Sequence, residues 1–489
     1  MQRGVMSAAC STPMRRSRLF APAIAVAAVA ALCGAVAAPA QAGALRAPAG
    51  RGGPWGAEGN LIRIAETTKA SYQPQSLRQY QPPPRGFQPV FTENVQRHGD
   101  RTDTSSSDGD ELLALWQIAQ ADAALTPLGR GLGPELQQFE SANAAIGYGN
   151  LAPDGVTQIE AIAKRMYERL PSLFDSASSS AGAGNTTERI EVVSASQERT
   201  TASAAAFVAG LESEDPGLAP VIGPTQVNNN LLYFHKAAIN QDYQNYVASN
   251  PDLLAAEAYA DNEARSHEEA TAMLERSFTP AFVQEIAAGD FSAEFVNEVD
   301  AATALYDVWS VSKDLSDEGP WTLGRYLTPQ QASWFGYLDD VDSFYENGPA
   351  FLGNDITYAM AGVLLDDMFA QIQAKADGTS QLIAVLRFTH AEEIFPLATL
   401  LGLPGSTKQE PVGTEYTYAG NPFRGANVAP MAANIQWDVF SDGSTYLVRM
   451  LYNEKQTAFK AGCTPIAKGS YYYNLTELEQ CYDWSPSDS

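Results

Sequence analysis

The sequence predicts an α/β fold: a mainly parallel sheet with helices on both faces, carrying an inserted, mostly α-helical domain. Three observations lead there. Residues 90–95, 190–194 and 382–389 have the β-branched or apolar character of buried strands, and stretches of helical periodicity separate them. Each run leads into chemistry-bearing side chains, respectively Arg97-His98, Arg199 and His390-Ala391-Glu392, as the carboxyl ends of α/β strands commonly do. Residues 226–375 repeat almost wholly at helical spacing, with few strands between.

Residues 1–42 read as an export signal. Arg15, Arg16 and Arg18 precede an uncharged run from Leu19 to Ala38, and Ala40-Gln41-Ala42 then supplies the small-residue pattern of a cleavage site. A membrane anchor is the competing reading, but the run is mostly alanine and that site follows it at once. The expected product is a secreted or periplasmic chain starting near Gly43, with no stable membrane association after cleavage. Cys10 and Cys33 leave with the signal, and the remaining Cys463 and Cys481 are expected to pair in an oxidising compartment.

Cleavage also removes four arginines and no acid, so the formal charge of −26 becomes about −30. Nucleic acid and anionic membranes are therefore poor partners. A site for an anionic small molecule has to be a local concentration of arginine.

Residues 43–88 are rich in Gly, Pro, Gln and Arg and read as an extended, partly disordered lead-in. The α/β domain is then expected in two pieces, residues 89–225 and 376–489, with residues 226–375 as the helical insertion. Val90, Phe91 and Val95 fit a strand running into the Arg97-His98 corner, and a helix over residues 111–124 follows with Leu112, Leu115 and Trp116 inward. Asp154 is the expected N-cap of a helix in which Val156, Ile159, Ala163, Met166 and Leu170 repeat until Pro171. The Ser, Ala and Gly of residues 175–184 read as a surface loop.

Arg199 stands where a strand over residues 190–194 gives way to a small-residue helix, a position that favours an anion. His235 and His267 have no Cys or His neighbour at metal-ligand spacing and receive no role. In the tail, Asp442-Gly443 predicts a hairpin between residues 435–440 and 446–451.

Two guanidinium forks around an imidazole, Arg97, His98 and Arg101, make a site for a phosphate dianion with a nucleophile at its centre. Zinc is the rival reading of His390-Ala391-Glu392, but a second histidine at helical spacing is missing and the whole chain holds only 4. No metal is expected.

Arg97-His98-Gly99-Asp100-Arg101 resembles the signature of the histidine acid phosphatases, branch 2 of the histidine phosphatase superfamily. His390-Ala391-Glu392 resembles the proton-donor motif of the group holding multiple inositol polyphosphate phosphatases and bacterial phytases of that type. The likeness extends through residues 196–211, 229–234 and 448–454. Two positions depart from the pattern: Asp103 stands where proline is usual, and Glu393 where threonine is common.

The resemblance implies a phosphomonoesterase that needs no cofactor. His98 would be the nucleophile, Glu392 the proton donor, and Arg97, Arg101, Arg199 and His390 the phosphate ligands, with Asp100 and Glu393 structural or peripheral. A carboxyl group beside a phosphate dianion should be raised, which fits work at mildly acidic pH. The implied substrate is inositol hexakisphosphate and lower inositol phosphates. A broad-specificity acid phosphatase is the alternative, and a non-catalytic anion-binding protein the reading from another class.

Overall fold

A computed structural model describes residues 57–184, 187–291 and 293–485. The expected export signal lies outside the described residues. Among the described residues, eight strands form one mixed sheet: β1 (Gln88–Arg97), β2 (Arg189–Ser194), β3 (Gln226–Val227), β4 (Leu382–Thr389), β5 (Asn434–Ser441), β6 (Tyr446–Tyr452), β7 (Lys455–Thr457) and β8 (Tyr472–Asn474). Their order is β3-β2-β4-β1-β5-β6-β7, with β8 paired to β6.

From β3 to β1 the neighbours are parallel, because helical crossovers join them; from β1 onward the pairs are antiparallel. The antiparallel half follows from tight links. The Asp442-Gly443 turn joins β5 to β6, and Asn453-Glu454, both at positive φ (48° and 55°), forms the two-residue link from β6 to β7.

The helices before β3 are α1 (Ala57–Ala65), α2 (Ser107–Ala121), α3 (Leu132–Ile146), α4 (Pro153–Arg169), α5 (Pro171–Gly182) and α6 (Glu198–Glu214). The helical stretch comprises α7 (Asn229–Leu232), α8 (Gln241–Ser249), α9 (Pro251–Asn262), α10 (Ala264–Leu274), α11 (Pro280–Ala287), α12 (Glu298–Val311), α13 (Pro329–Glu346) and α14 (Gly362–Ala376). After β4 come α15 (Ala391–Leu400), α16 (Gly425–Val428) and α17 (Leu475–Cys481).

Helices cover both faces of the sheet. Ile190, Val192, Leu386 and Phe388 pack with α4, α5 and α6 on one side. On the other, Val95, Val193, Val385 and Trp437 join a single apolar cluster that continues through α14 and α15 into α12 and α13. The helical stretch thus shares its core with the sheet.

Three local expectations change. Residues 175–184 are mostly helix rather than loop, because Pro171 opens α5 and Leu173, Phe174 and Ala177 are buried on its inner side, leaving the serines outside. Asp154 is not the N-cap of α4; Ala152 is, Pro153 takes the first helical position, and the Asp154 carboxylate sits in the first turn near the positive helix end.

The first part of the lead-in, residues 43–56, lies outside the described residues; the part from residue 57 on, finally, is fastened rather than simply extended. It contains α1 and short 3₁₀ turns at Thr67–Lys69 and Leu77–Gln79. The Tyr72 hydroxyl donates to Glu454 Oε2 (2.7 Å) and Met431 N–H to Ala70 O (3.0 Å). Cys463 and Cys481 are disulfide-bonded, tying α17 to the segment after β7. No helix among the described residues is long and apolar enough to cross a membrane.

Candidate active site

The site begins with strand register. β1 and β4 run side by side with Arg97 opposite Thr389, so His98 and His390 emerge together at the carboxyl edge of the sheet. The His98 backbone N–H donates to Thr389 O (3.0 Å), and the two imidazole rings meet edge-on at 5.5 Å. Gly99 follows because nothing larger fits: a Cβ there would stand 2.6 Å from Gly155 O at the start of α4. On the far side of β4, Ser194 of β2 pairs with Phe388, and the chain turns into α6, whose first turn carries Arg199. His390 is the N-cap of α15. Two helix N-termini therefore open toward one edge, an arrangement suited to an anion.

His98 Nδ1 lies 2.8 Å from Gly99 O. A carbonyl can only accept, so Nδ1 carries the proton and the lone pair stays on Nε2. Burial, and after it the charges of Arg199 and Arg97, hold this imidazole well below its usual range. His390 is lowered for the same reasons, burial first and Arg199 second, and both of its ring nitrogens are buried without a partner in the protein. Both rings are thereby biased toward the neutral form.

Arg97 Nη1 donates to Thr68 O (2.5 Å) and Ala429 O (2.8 Å), while its buried Nε has no partner. Arg101 is held by a bridge to Leu151 and donates from Nη1 to Thr102 O (2.8 Å). Arg199 has one long contact, Nη1 to Gly149 O at 3.5 Å, and a buried, unpaired Nε. Burial, then repulsion from Arg101, pushes Arg97 and Arg199 down to about 10. A buried donor left without an acceptor costs about 1–3 kcal/mol, so these guanidiniums are suited to receive an anion.

Glu392 lies in the first turn of α15, two residues after His390, and its carboxyl is electrostatically coupled to His390 and Arg199. Burial would raise its carboxyl, but His235, His390, its own backbone N–H and Arg199 outweigh that and bring it down to about 2. The protein's own groups thus keep it ionised, and a raised value has to come from a bound dianion. Three guanidiniums, two neutral imidazoles and one carboxylate leave two positive charges, the complement of a phosphate dianion.

The residues given a catalytic or phosphate-binding role in the sequence lie in this corner, whereas Asp100 and Glu393 are engaged elsewhere. The Asp100 carboxylate takes the Gln158 side-chain amide (2.8 Å). Glu393 is fully buried on the inner side of α15, against His235 Nδ1 and the Thr389 hydroxyl (3.0 Å). Sequence reasoning missed His235. The signal available was its place just after residues 229–234, one of the stretches that carried the resemblance.

It also missed Tyr233, whose ring lies 5.1 Å from that of His390. Asp314 went unnoticed as well. Its buried carboxyl is pushed up to about 7 by desolvation, against the pull of Lys69, Arg101 and Arg97. No motif marks Asp314 or Lys69.

Comparison with known proteins agrees with this geometry. The profile of the histidine phosphatase superfamily (branch 2) matches residues 91–453. Multiple inositol polyphosphate phosphatase 1 of Gallus gallus is 24% identical over 415 residues, covering 82% of this chain and 84% of that protein. The crystal structure of Bifidobacterium longum multiple inositol polyphosphate phosphatase in complex with inositol hexasulfate has a TM-score of 0.80 at 30% identity, covering 86% of this chain and 97% of that one. The phytase from D. castellii, at 16% identity and a TM-score of 0.55 over 87% and 85% of the two chains, shares the fold. The profile takes in all three strand ends that build the corner, and the chain belongs to the histidine phosphatase superfamily, branch 2, as a phosphoric monoester hydrolase.

Proposed function

We propose that this chain is an exported phosphatase of inositol polyphosphates that works through a phosphohistidine on His98. The observation that carries the chemistry is a neutral imidazole, with its lone pair fixed on Nε2, inside a corner holding two excess positive charges. The Nε2 lone pair attacks phosphorus and the bond to the ester oxygen breaks. Arg97, Arg101, Arg199 and His390 hold the non-bridging oxygens, and Glu392 gives its proton to the departing alkoxide. Water then attacks phosphorus, Glu392 takes a proton from it, and the nitrogen–phosphorus bond breaks to release phosphate.

An ionised Glu392 needs a proton before the first step. A phosphomonoester monoanion brings one, since the monoanion with a carboxylate holds the same protons as the dianion with a carboxylic acid. kcat/KM is therefore expected to fall as pH rises through roughly 6, where the ester loses that proton. The low basicity of His98 keeps the nucleophile neutral on the acid side of this range.

Inositol hexakisphosphate and lower inositol phosphates are the preferred substrates in this reading, supported by the Bifidobacterium longum relative's complex with inositol hexasulfate. Export with cleavage near Ala42 is supported by the Cys463–Cys481 disulfide, and a secreted chain beginning near Gly43 checks it. The decisive experiment incubates purified protein with inositol hexakisphosphate and with an aryl phosphate, and quenches a labelled reaction in alkali. Phosphate release from both and a trapped phosphohistidine that disappears in His98→Ala are expected. Normal turnover by His98→Ala would rule the covalent scheme out.

A further inference from the structure

Behind the corner lies a buried acid–base pair that the chemistry above does not use. His235, 4% exposed, sits in the turn after α7, and its Nδ1 contacts Glu393 Oε1. The Thr389 hydroxyl is shared between Glu393 Oε2 (3.0 Å) and Leu232 O (2.6 Å), so the pair joins the end of β4, the first turn of α15 and the end of α7. The Tyr233 ring lies 4.7 Å from His235 and 5.1 Å from His390. A burial this complete contributes little stability through an ion pair, because desolvation cancels most of the attraction. What the arrangement does provide is direction: adjacent helix residues diverge by about 100°, so fixing Glu393 inward aims Glu392 outward.

We propose that His235 and Glu393 are a positioning pair for Glu392, orienting the first turn of α15 and placing a positive charge behind the proton donor. The inference rests on the reading of Glu392 as that donor. The charged and titratable groups whose electrostatics couple to Glu392 are His235 and Tyr233 from the segment after α7, Tyr243 from α8, Arg199 from α6, Arg97 from β1, and His390 and Glu393 next to it in the chain. Arg199 and Arg97 are engaged by substrate phosphate, whereas His235 stays behind the carboxyl throughout. Although burial opposes it, contact with Glu393 raises His235, which keeps its charge to higher pH.

A cation behind Glu392 favours its ionised form, so removing that charge raises the pH at which Glu392 loses its proton in the substrate complex. The test compares wild type, His235→Gln, Glu393→Gln and the double variant, which restores an amide–amide hydrogen bond without charge. On an alkyl phosphate, His235→Gln, which removes the cation, should move the alkaline limb of kcat upward by ~0.5–1 pH unit, and the double variant, which loses the Glu393 carboxylate with it, should move it by less. On an aryl phosphate, whose leaving group needs little protonation, kcat should change by less than about threefold. In a Glu392→Gln background the double substitution should produce no further change. The single variants, each leaving one member unpaired, should lose more activity than the double.

An unmoved limb in folded His235→Gln, or equal loss on both substrates that persists in Glu392→Gln, would reduce the pair to scaffold and overturn the inference. Inert wild type would instead sink the phosphatase reading beneath it.

Discussion

Buried arginines occur in two settings in this protein. Arg387, fully buried in β4, meets Glu93 Oε2 (2.8 Å) and Asp367 Oδ2 (2.5 Å), and Arg169 and Arg449 share Asp438 Oδ2 at 3.0 and 2.6 Å. Arg97 and Arg199 have only backbone carbonyls, with no carboxylate ion-paired to either among the described residues. Burial works against the charge in every case. Carboxylates then lift Arg387 and Arg449, whereas other cations help to press Arg97 and Arg199 down to about 10. A structural arginine is folded together with its anion; the arginines proposed to bind phosphate are folded without one.

The largest expected effect lies at the carboxylate that serves the second group. Glu392→Gln should slow hydrolysis of an alkyl phosphate by roughly 10²–10⁴-fold and of an aryl phosphate less, through the water step alone, with little effect on melting temperature. Arg387→Met should do the reverse, costing about 3–5 kcal/mol in denaturant titration because Glu93 is left buried and unpaired, while kcat per folded molecule is unchanged.

Inorganic phosphate at 100 times its Kd should stabilise wild type by about 2.7 kcal/mol, by supplying the anion that the corner lacks. Arg199→Ala should weaken phosphate inhibition by roughly 10–100-fold yet leave stability equal or higher, since it removes an uncompensated cation. A loss of stability there would break the comparison.

The smallest effect concerns pH. Despite burial, Arg169 and Arg449 hold Asp438 below its usual range. Its contribution to stability is therefore full above the unfolded carboxylate range and is lost as pH falls through the folded value, and Asp438→Asn should flatten that acid limb.

The strand ends were legible because chemistry and periodicity coincide there: an apolar run such as residues 382–389 followed at once by His390 and Glu392 is a local signal. The second half of the sheet was partly legible through Asp442-Gly443, but its antiparallel sense to β1 depends on a pairing across more than 300 residues, as in Thr92 with Asp438. The helix over residues 171–182 was hidden by serine-rich composition, although Leu173 and Phe174 anchor it. His235 was illegible for a different reason. Its meaning comes from Glu393, 158 positions away, and nothing local to either residue announces the other.

The two carbonyls that hold Arg97 also bear on how the enzyme is made. Thr68 lies 29 residues before that arginine and Ala429 lies 332 after it. Closing such separations is slow compared with forming local helices, because the entropy of ordering the intervening chain is spent before the contact forms. The clamp should therefore be among the last features to appear during refolding, with secondary structure returning first and affinity for phosphate only afterwards. A chain emerging from synthesis would complete the surroundings of its proposed nucleophile only once residue 429 had been made, so fragments that stop short of it should fold locally and bind nothing.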